Sequence, residues 1–107
     1  VKSGIQIVTL VGLLGLVSGC GPVVSGVKIL SASVRLSETE TAGARETALY
    51  EFTMAEEYLK KAREEHAYSE FWYARRYVDK ALLYAKEARS RAEVAARTEQ
   101  MGTGAGE

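Results

Sequence analysis

The chain has 107 residues, 47% of them hydrophobic, and its 14 basic and 14 acidic side chains cancel to a formal net charge of zero. A neutral chain with no basic stripe to track a phosphate backbone is not built for nucleic acid, and a single cysteine excludes an intrachain disulfide. In chain order, the first element is the apolar run Ile5–Val17 (IQIVTLVGLLGLV), preceded by Lys2. It falls short of the roughly 20 apolar residues that a membrane-spanning helix needs. It matches instead the apolar core of a secretory signal, about 7–15 residues behind a basic start. Val1 in place of Met is expected to reflect an alternative start codon or a trimmed terminus.

The run ends in Val17-Ser18-Gly19-Cys20, an aliphatic residue, two small residues and the only cysteine. This quartet resembles the lipobox of bacterial lipoproteins. The resemblance implies a diacylglyceryl thioether on the Cys20 thiol, cleavage before Cys20 by signal peptidase II, and acylation of the new amino terminus. Residues 1–19 would then be a cleaved signal peptide. Three acyl chains hold a protein firmly where one holds only marginally. Gly21, rather than Asp, follows the cysteine, and in the enteric pattern that implies an outer-membrane lipoprotein facing the periplasm. Gly12, Gly15, Gly19, Gly21 and Pro22 argue against a helix that continues past the cysteine, so 20–25 reads as a short tether.

Loss of Lys2 with the signal leaves the remainder close to neutral, and no glycine occurs from Ala44 to Met101. A composition rich in Ala, Glu, Arg, Lys and Leu reads as all-α, with a helical domain over 26–98 and a flexible, glycine-rich tail over 99–107. Val27, Leu30 and Val34 are spaced for the buried face of a first helix. The stretch Thr39–Gly43 breaks it, and Thr41 or Thr47 is expected to cap the second helix. Along that helix Ala48, Phe52, Ala55, Leu59, Ala62 and His66 step 4-3-4-3-4, flanked by Tyr50, Met54 and Tyr58. A turn comes next at Glu65–Glu70, with Ser69 expected as the N-cap of the last helix.

The last helix carries the most regular row: Phe71, Ala74, Val78, Ala81, Ala85, Ala88, Ala92 and Ala95. Alanine buries little area, so an alanine seam suits a close neighbour whose larger side chains fill the gap. Phe52, Met54 and Leu59 are placed to do so. The fold expected is therefore a short helical bundle built on an antiparallel hairpin. Outer-face pairs at i,i+4 (Glu56–Lys60, Glu57–Lys61, Arg75–Asp79, Glu87–Arg91, Glu93–Arg97) support helicity at about 0.2–0.5 kcal/mol each.

Ala48–Ala92 also resembles the small helical module catalogued as domain of unknown function 4398, found in short bacterial lipoproteins and beside outer-membrane-protein-A-type proteins. The carrying residues are Ala55, Tyr58, Leu59, Lys61 and Ala62, the Tyr68-Ser69 turn, Tyr77, Lys80-Ala81, and Ala85 through Ala88. A more distant likeness is to tetratricopeptide helix pairs, although one hairpin falls short of the three or so repeats that such arrays need. Neither resemblance implies a catalytic residue.

The six tyrosines, two phenylalanines and single tryptophan all lie between Tyr50 and Tyr84. Successive residues of a helix point about 100° apart, so Phe71, Trp72 and Tyr73 cannot share one face. Tyr73, Tyr77 and Tyr84 form a second stripe, expected either to cover the first helix or to bind a partner. Trp72 is the expected exposed anchor, with Tyr73 and Tyr77 beside it. His66, the only histidine, reads as a packing or capping residue near a helix C-terminus. The helical-bundle metal motif Glu-x-x-His is absent, since Arg63 stands three residues before His66. No catalytic set, metal site, small-molecule substrate or cofactor beyond the lipid on Cys20 is expected. The function expected is a lipid-anchored module in the cell envelope that binds another envelope protein or itself. The alternative is a structural lipoprotein whose alanine-rich last helix zips into an oligomeric coiled coil.

Overall fold

The computed structural model describes the main chain of residues 2–17 and 20–105, and the side chains of residues 2–11 and 21–104. Among the described residues all regular structure is helical: α1 (Lys2–Val17), α2 (Cys20–Thr41), α3 (Ala44–Thr47), α4 (Leu49–Ala67) and α5 (Phe71–Ala105). The all-α class is as the composition implied. The described side chains of α1 are all exposed, including Ile5, Ile7, Val8, Leu10 and Val11, so α1 has no buried face among them.

The other helices make a three-helix bundle, with α3 as a one-turn link. α4 and α5 form the antiparallel hairpin, and both seams lie where the 3-4 spacing puts them. Ala48, Phe52, Ala55, Leu59 and Ala62 are buried on α4, facing Ala74, Val78, Ala81, Ala85, Ala88 and Ala92 on α5. Phe71, His66 and Ala95, at the ends of those rows, are half-buried. Leu59 sits with Ala62, Val78 and Ala81, and Phe52 with Ala44, Ala48, Ala88 and Ala92. Each large side chain of α4 thus fills a gap that alanines leave.

α2 lies across this hairpin, parallel to α5 and antiparallel to α4. The Thr39 hydroxyl is 3.5 Å from the Ala85 carbonyl oxygen, Glu38 meets Arg89 at 3.3 Å, and Lys28 meets Asp79 at 3.4 Å. On the α4 side Arg63 donates to Ser33, and Ser25 meets His66 at 2.8 Å.

Four expectations are corrected here. The segment 20–25 is helical rather than a loose tether: α2 begins at Cys20. Pro22 falls in its first turn, where the missing N–H leaves no helical bond unmade. Second, the buried face of α2 is not Val27, Leu30 and Val34, which are 61%, 67% and 52% exposed. It is Ser25, Ala32 and Thr39, all buried, with Ile29 and Leu36 half-buried between them. Residues 25, 29, 32, 36 and 39 also step 4-3-4-3, but small side chains dominate because α2 must approach an alanine groove closely. Third, α5 stays helical through 99–105, while 106–107 of the expected tail lie outside the described residues. Fourth, Thr41 and Thr47 do not cap. Their hydroxyls donate back to the Ser37 and Gly43 carbonyl oxygens, four residues earlier in each case. The α2–α3 break rests instead on Gly43, at φ 88°, where a left-handed residue closes the helix.

Of the expected i,i+4 pairs, Glu87–Arg91 forms at 3.3 Å. Four of the other groups find longer-range or shifted partners: Glu56 pairs with Arg45, Lys61 with Glu64 and Glu65, Asp79 with Lys28, and Glu93 with Arg89. Glu51, 11% exposed in its side chain, holds Arg91 at 2.9 Å and ties the start of α4 to α5. It also lies in the first turn of α4, where a carboxylate complements the helix dipole.

Candidate functional site

One end of the bundle gathers Cys20, His66, Trp72 and Tyr73 from among the residues singled out from the sequence. It is assembled from the start of α2, the end of α4 and the start of α5. A Cβ added to Gly21 would stand 3.8 Å from the Phe71 ring, and one added to Gly26 would stand 3.7 Å from His66. His66 meets the Phe71 ring edge-on at 5.3 Å. Its Nδ1 lies 2.8 Å from the Ser25 hydroxyl oxygen, which is also 3.1 Å from the Gly21 carbonyl oxygen and 3.2 Å from that of Pro22. The hydroxyl has one proton to donate, so one of these three contacts at a time takes it. His66 therefore pins the first two turns of α2 onto the hairpin, which is the packing role expected of it.

The chain turns from α4 to α5 through a Schellman motif. Ser69 adopts φ 64°, its N–H donates to the His66 carbonyl oxygen at 3.0 Å, and Glu70 N–H donates to that of Glu65 at 2.8 Å. Ser69 thus closes α4 from the position after its C-cap and does not cap α5, as its residue type had suggested. The turn leaves Tyr68, Trp72 and Tyr73 outside the core, 79%, 54% and 51% exposed. The Trp72 and Tyr73 rings meet edge-on at 4.9 Å, and the Arg76 guanidinium lies 4.8 Å from the Trp72 ring centroid.

Tyr77 parts company with Trp72 and Tyr73. It is half-buried and stacks on Tyr58 at 6.1 Å; Tyr58 stacks on Tyr84 at 5.6 Å, and Tyr84 meets Tyr50 edge-on at 6.4 Å. The second aromatic stripe therefore does not cover the first helix. It closes the back of the hairpin, while the α2 contacts of Asp79, Ala85 and Arg89 lie on the other side of α5. Burial, followed by the neighbouring Tyr50 and Tyr58 rings, raises the Tyr84 phenol above its ordinary 10.0. Lys80 lies 5.2 Å from the Tyr58 ring centroid and completes this ladder.

Cys20 is the first residue of α2, and nothing is described of its side chain; Val17 ends α1 with its side chain likewise undescribed, and Ser18 and Gly19 lie outside the described residues. Two surface features were missed in the sequence. Tyr68 had no periodic signal because it stands in the turn. Val27, Leu30 and Val34 carry the spacing of a core row because it equals that of the true seam, and with Val23 they form an exposed outer row instead. Among the described residues no three His, Cys, Asp or Glu side chains converge as a metal site would require, and no helix is long and apolar enough to cross a membrane. The groove between α2 and α5 is lined by Arg35, Glu38, Lys86, Arg89 and Glu93, a mixed set in which Glu38 and Glu93 both hold Arg89.

Compared with known proteins, the chain matches no family, no curated protein and no solved structure.

Proposed function

We propose that this is a lipid-anchored helical lipoprotein of the bacterial envelope, held through an acylated Cys20 and serving as a protein-interaction or tethering module. The observation that carries the reading is the lipobox-like Val17-Ser18-Gly19-Cys20 at the boundary between two different kinds of chain. Before it lies an apolar helix whose described side chains are exposed; after it, packing begins at Gly21 against Phe71. A removable address followed by a self-contained bundle has this layout. The resemblance of Ala48–Ala92 to the lipoprotein-associated helical module supports the same reading, as does Gly21 for the outer membrane.

The test is intact mass and membrane fractionation of the full-length protein beside Cys20→Ala. The expected result is an acylated wild-type chain beginning at Cys20 in the outer-membrane fraction, with the variant soluble or unprocessed. Identical behaviour of the two would sink the anchor.

A second reading, a structural lipoprotein that assembles as a coiled coil, draws on the exposed α2 row at 23, 27, 30 and 34. Such a seam would run along α2 rather than α5, whose alanines are already covered within one chain.

A further inference from the structure

The end of the bundle that begins at Cys20 is also its exposed aromatic end. Gly21 approaches Phe71, whose next two residues are Trp72 and Tyr73; Ser25 meets His66, two residues before Tyr68. Chain direction thus brings the attachment point and three exposed aromatic side chains to one end of a three-helix stack. None of the three rings is used by the core, and each is large. Val23 and Val24, in the first turns of α2, add further exposed apolar surface, 65% and 40% accessible.

At the opposite end the exposed ring, Tyr50, lies edge-on to Tyr84, and the α2–α3 turn carries the Glu40–Arg45 pair. Charge at the aromatic end is close to balanced. Lys61 is held by Glu64 and Glu65, Arg76 lies over Trp72, Arg63 donates to Ser33, and Glu70 and Arg75 lie nearby. Tyrosine and tryptophan combine an apolar ring with a polar tip, and they concentrate at the headgroup level of bilayers for that reason. An arginine there lays its stem along apolar surface and keeps its guanidinium in water.

We propose that Tyr68, Trp72 and Tyr73 form a collar seated in the lipid headgroup layer, so that the bundle stands on its α4–α5 turn with the far end of α5 directed away from the bilayer. The proposal rests on the lipid-anchor reading of Cys20 and adds the surface that meets the lipid. The collar gives the tethered bundle a fixed orientation, which the flexible acyl linkages at Cys20 do not supply by themselves. Since the charges nearly balance, seating does not depend on anionic lipid.

Trp72 is the only tryptophan, so its fluorescence reports this site alone. The acylated protein, processed at Cys20, is reconstituted into phosphatidylethanolamine–phosphatidylglycerol vesicles, with and without lipid brominated near the glycerol backbone. The expected result is a severalfold loss of Trp72 emission to the brominated lipid and protection from aqueous iodide. In a Trp72→Phe, Val94→Trp double variant the reporter is expected to be open to iodide and untouched by brominated lipid. Vesicle flotation and intact mass are read on the same samples. If the protein is acylated and floats while Trp72 stays open to iodide and unquenched by lipid, the collar is overturned and the anchor stands; those rings are then left for a protein partner. If the protein carries no acyl mass and does not float, anchor and collar fall together. Equal lipid quenching at both reporters means a bundle lying flat, which overturns the standing orientation.

Discussion

Ser69 is the one described non-glycine residue with positive φ, at 64°. A left-handed backbone costs an L-residue roughly 1–2 kcal/mol, a cost that glycine avoids. The two hydrogen bonds of the Schellman turn hold Ser69 there and set the angle at which α5 leaves α4. Ser69→Gly is therefore expected to stabilise the protein by about 1 kcal/mol, seen as a raised urea midpoint at unchanged slope. A lowered midpoint would mean that the hydroxyl matters more than the backbone. The turn itself was legible as a cluster of polar residues between two periodic rows. Its polarity was not, since serine suits an N-cap by side-chain chemistry and reaches the left-handed position only when the flanking helices demand it. His66 was legible as a packing residue for a simple reason: it continues a row of buried positions. Its partner Ser25 was not, because serine in a helix gives no apolar signal.

At the scale of the element, α4 and α5 follow their sequence closely and α2 does not. In the hairpin the two longest 3-4 rows are the ones that are buried. α2 carries two rows with the same 4-3 spacing, one aliphatic (Val23, Val27, Leu30, Val34) and one of small side chains with two aliphatics (Ser25, Ile29, Ala32, Leu36, Thr39). Hydrophobicity alone selects the first; the structure buries the second. The reason is steric: the groove between α4 and α5 is lined by Ala62 and Ala81 with Leu59 and Val78, and Ala32 fits against them with 2% exposure. Two substitutions separate the faces. Ala32→Leu adds bulk to a close-packed contact and is expected to destabilise by about 1–3 kcal/mol. Leu30→Ser alters a side chain 67% exposed and is expected to shift stability by no more than about 0.5 kcal/mol. Both are read by chemical denaturation, and a reversal of the two would mean that the helix is rotated. Sedimentation of Leu30→Ser beside the wild type also reports on the coiled-coil reading, which requires that side chain for self-association.

The whole molecule has a core of small side chains, with Phe52 and Val78 the largest apolar groups fully buried, so its stability comes from close helix approach more than from buried volume. The bundle is uneven in length. At 1.5 Å per residue α5 runs about 52 Å and α4 about 28 Å, and residues 96–104 of α5 are exposed. Deleting residues 99–107 is expected to leave the thermal midpoint unchanged when followed by circular dichroism. A fall of several degrees would show that the overhang contributes to the fold. The sequence by itself determined the helical class and the hairpin with its two seams, because these depend on composition and on spacing along one stretch of chain. Tertiary structure alone decided which face of α2 is buried, that Tyr77 joins a tyrosine ladder apart from Trp72, and that Cys20 begins the helix whose start meets the aromatic turn. Each of these depends on which surfaces meet across a long stretch of intervening chain, as Ser25 does with His66, Gly21 with Phe71 and Tyr58 with Tyr77. Periodicity marks the faces that a helix offers; steric fit between helices selects the one that is used.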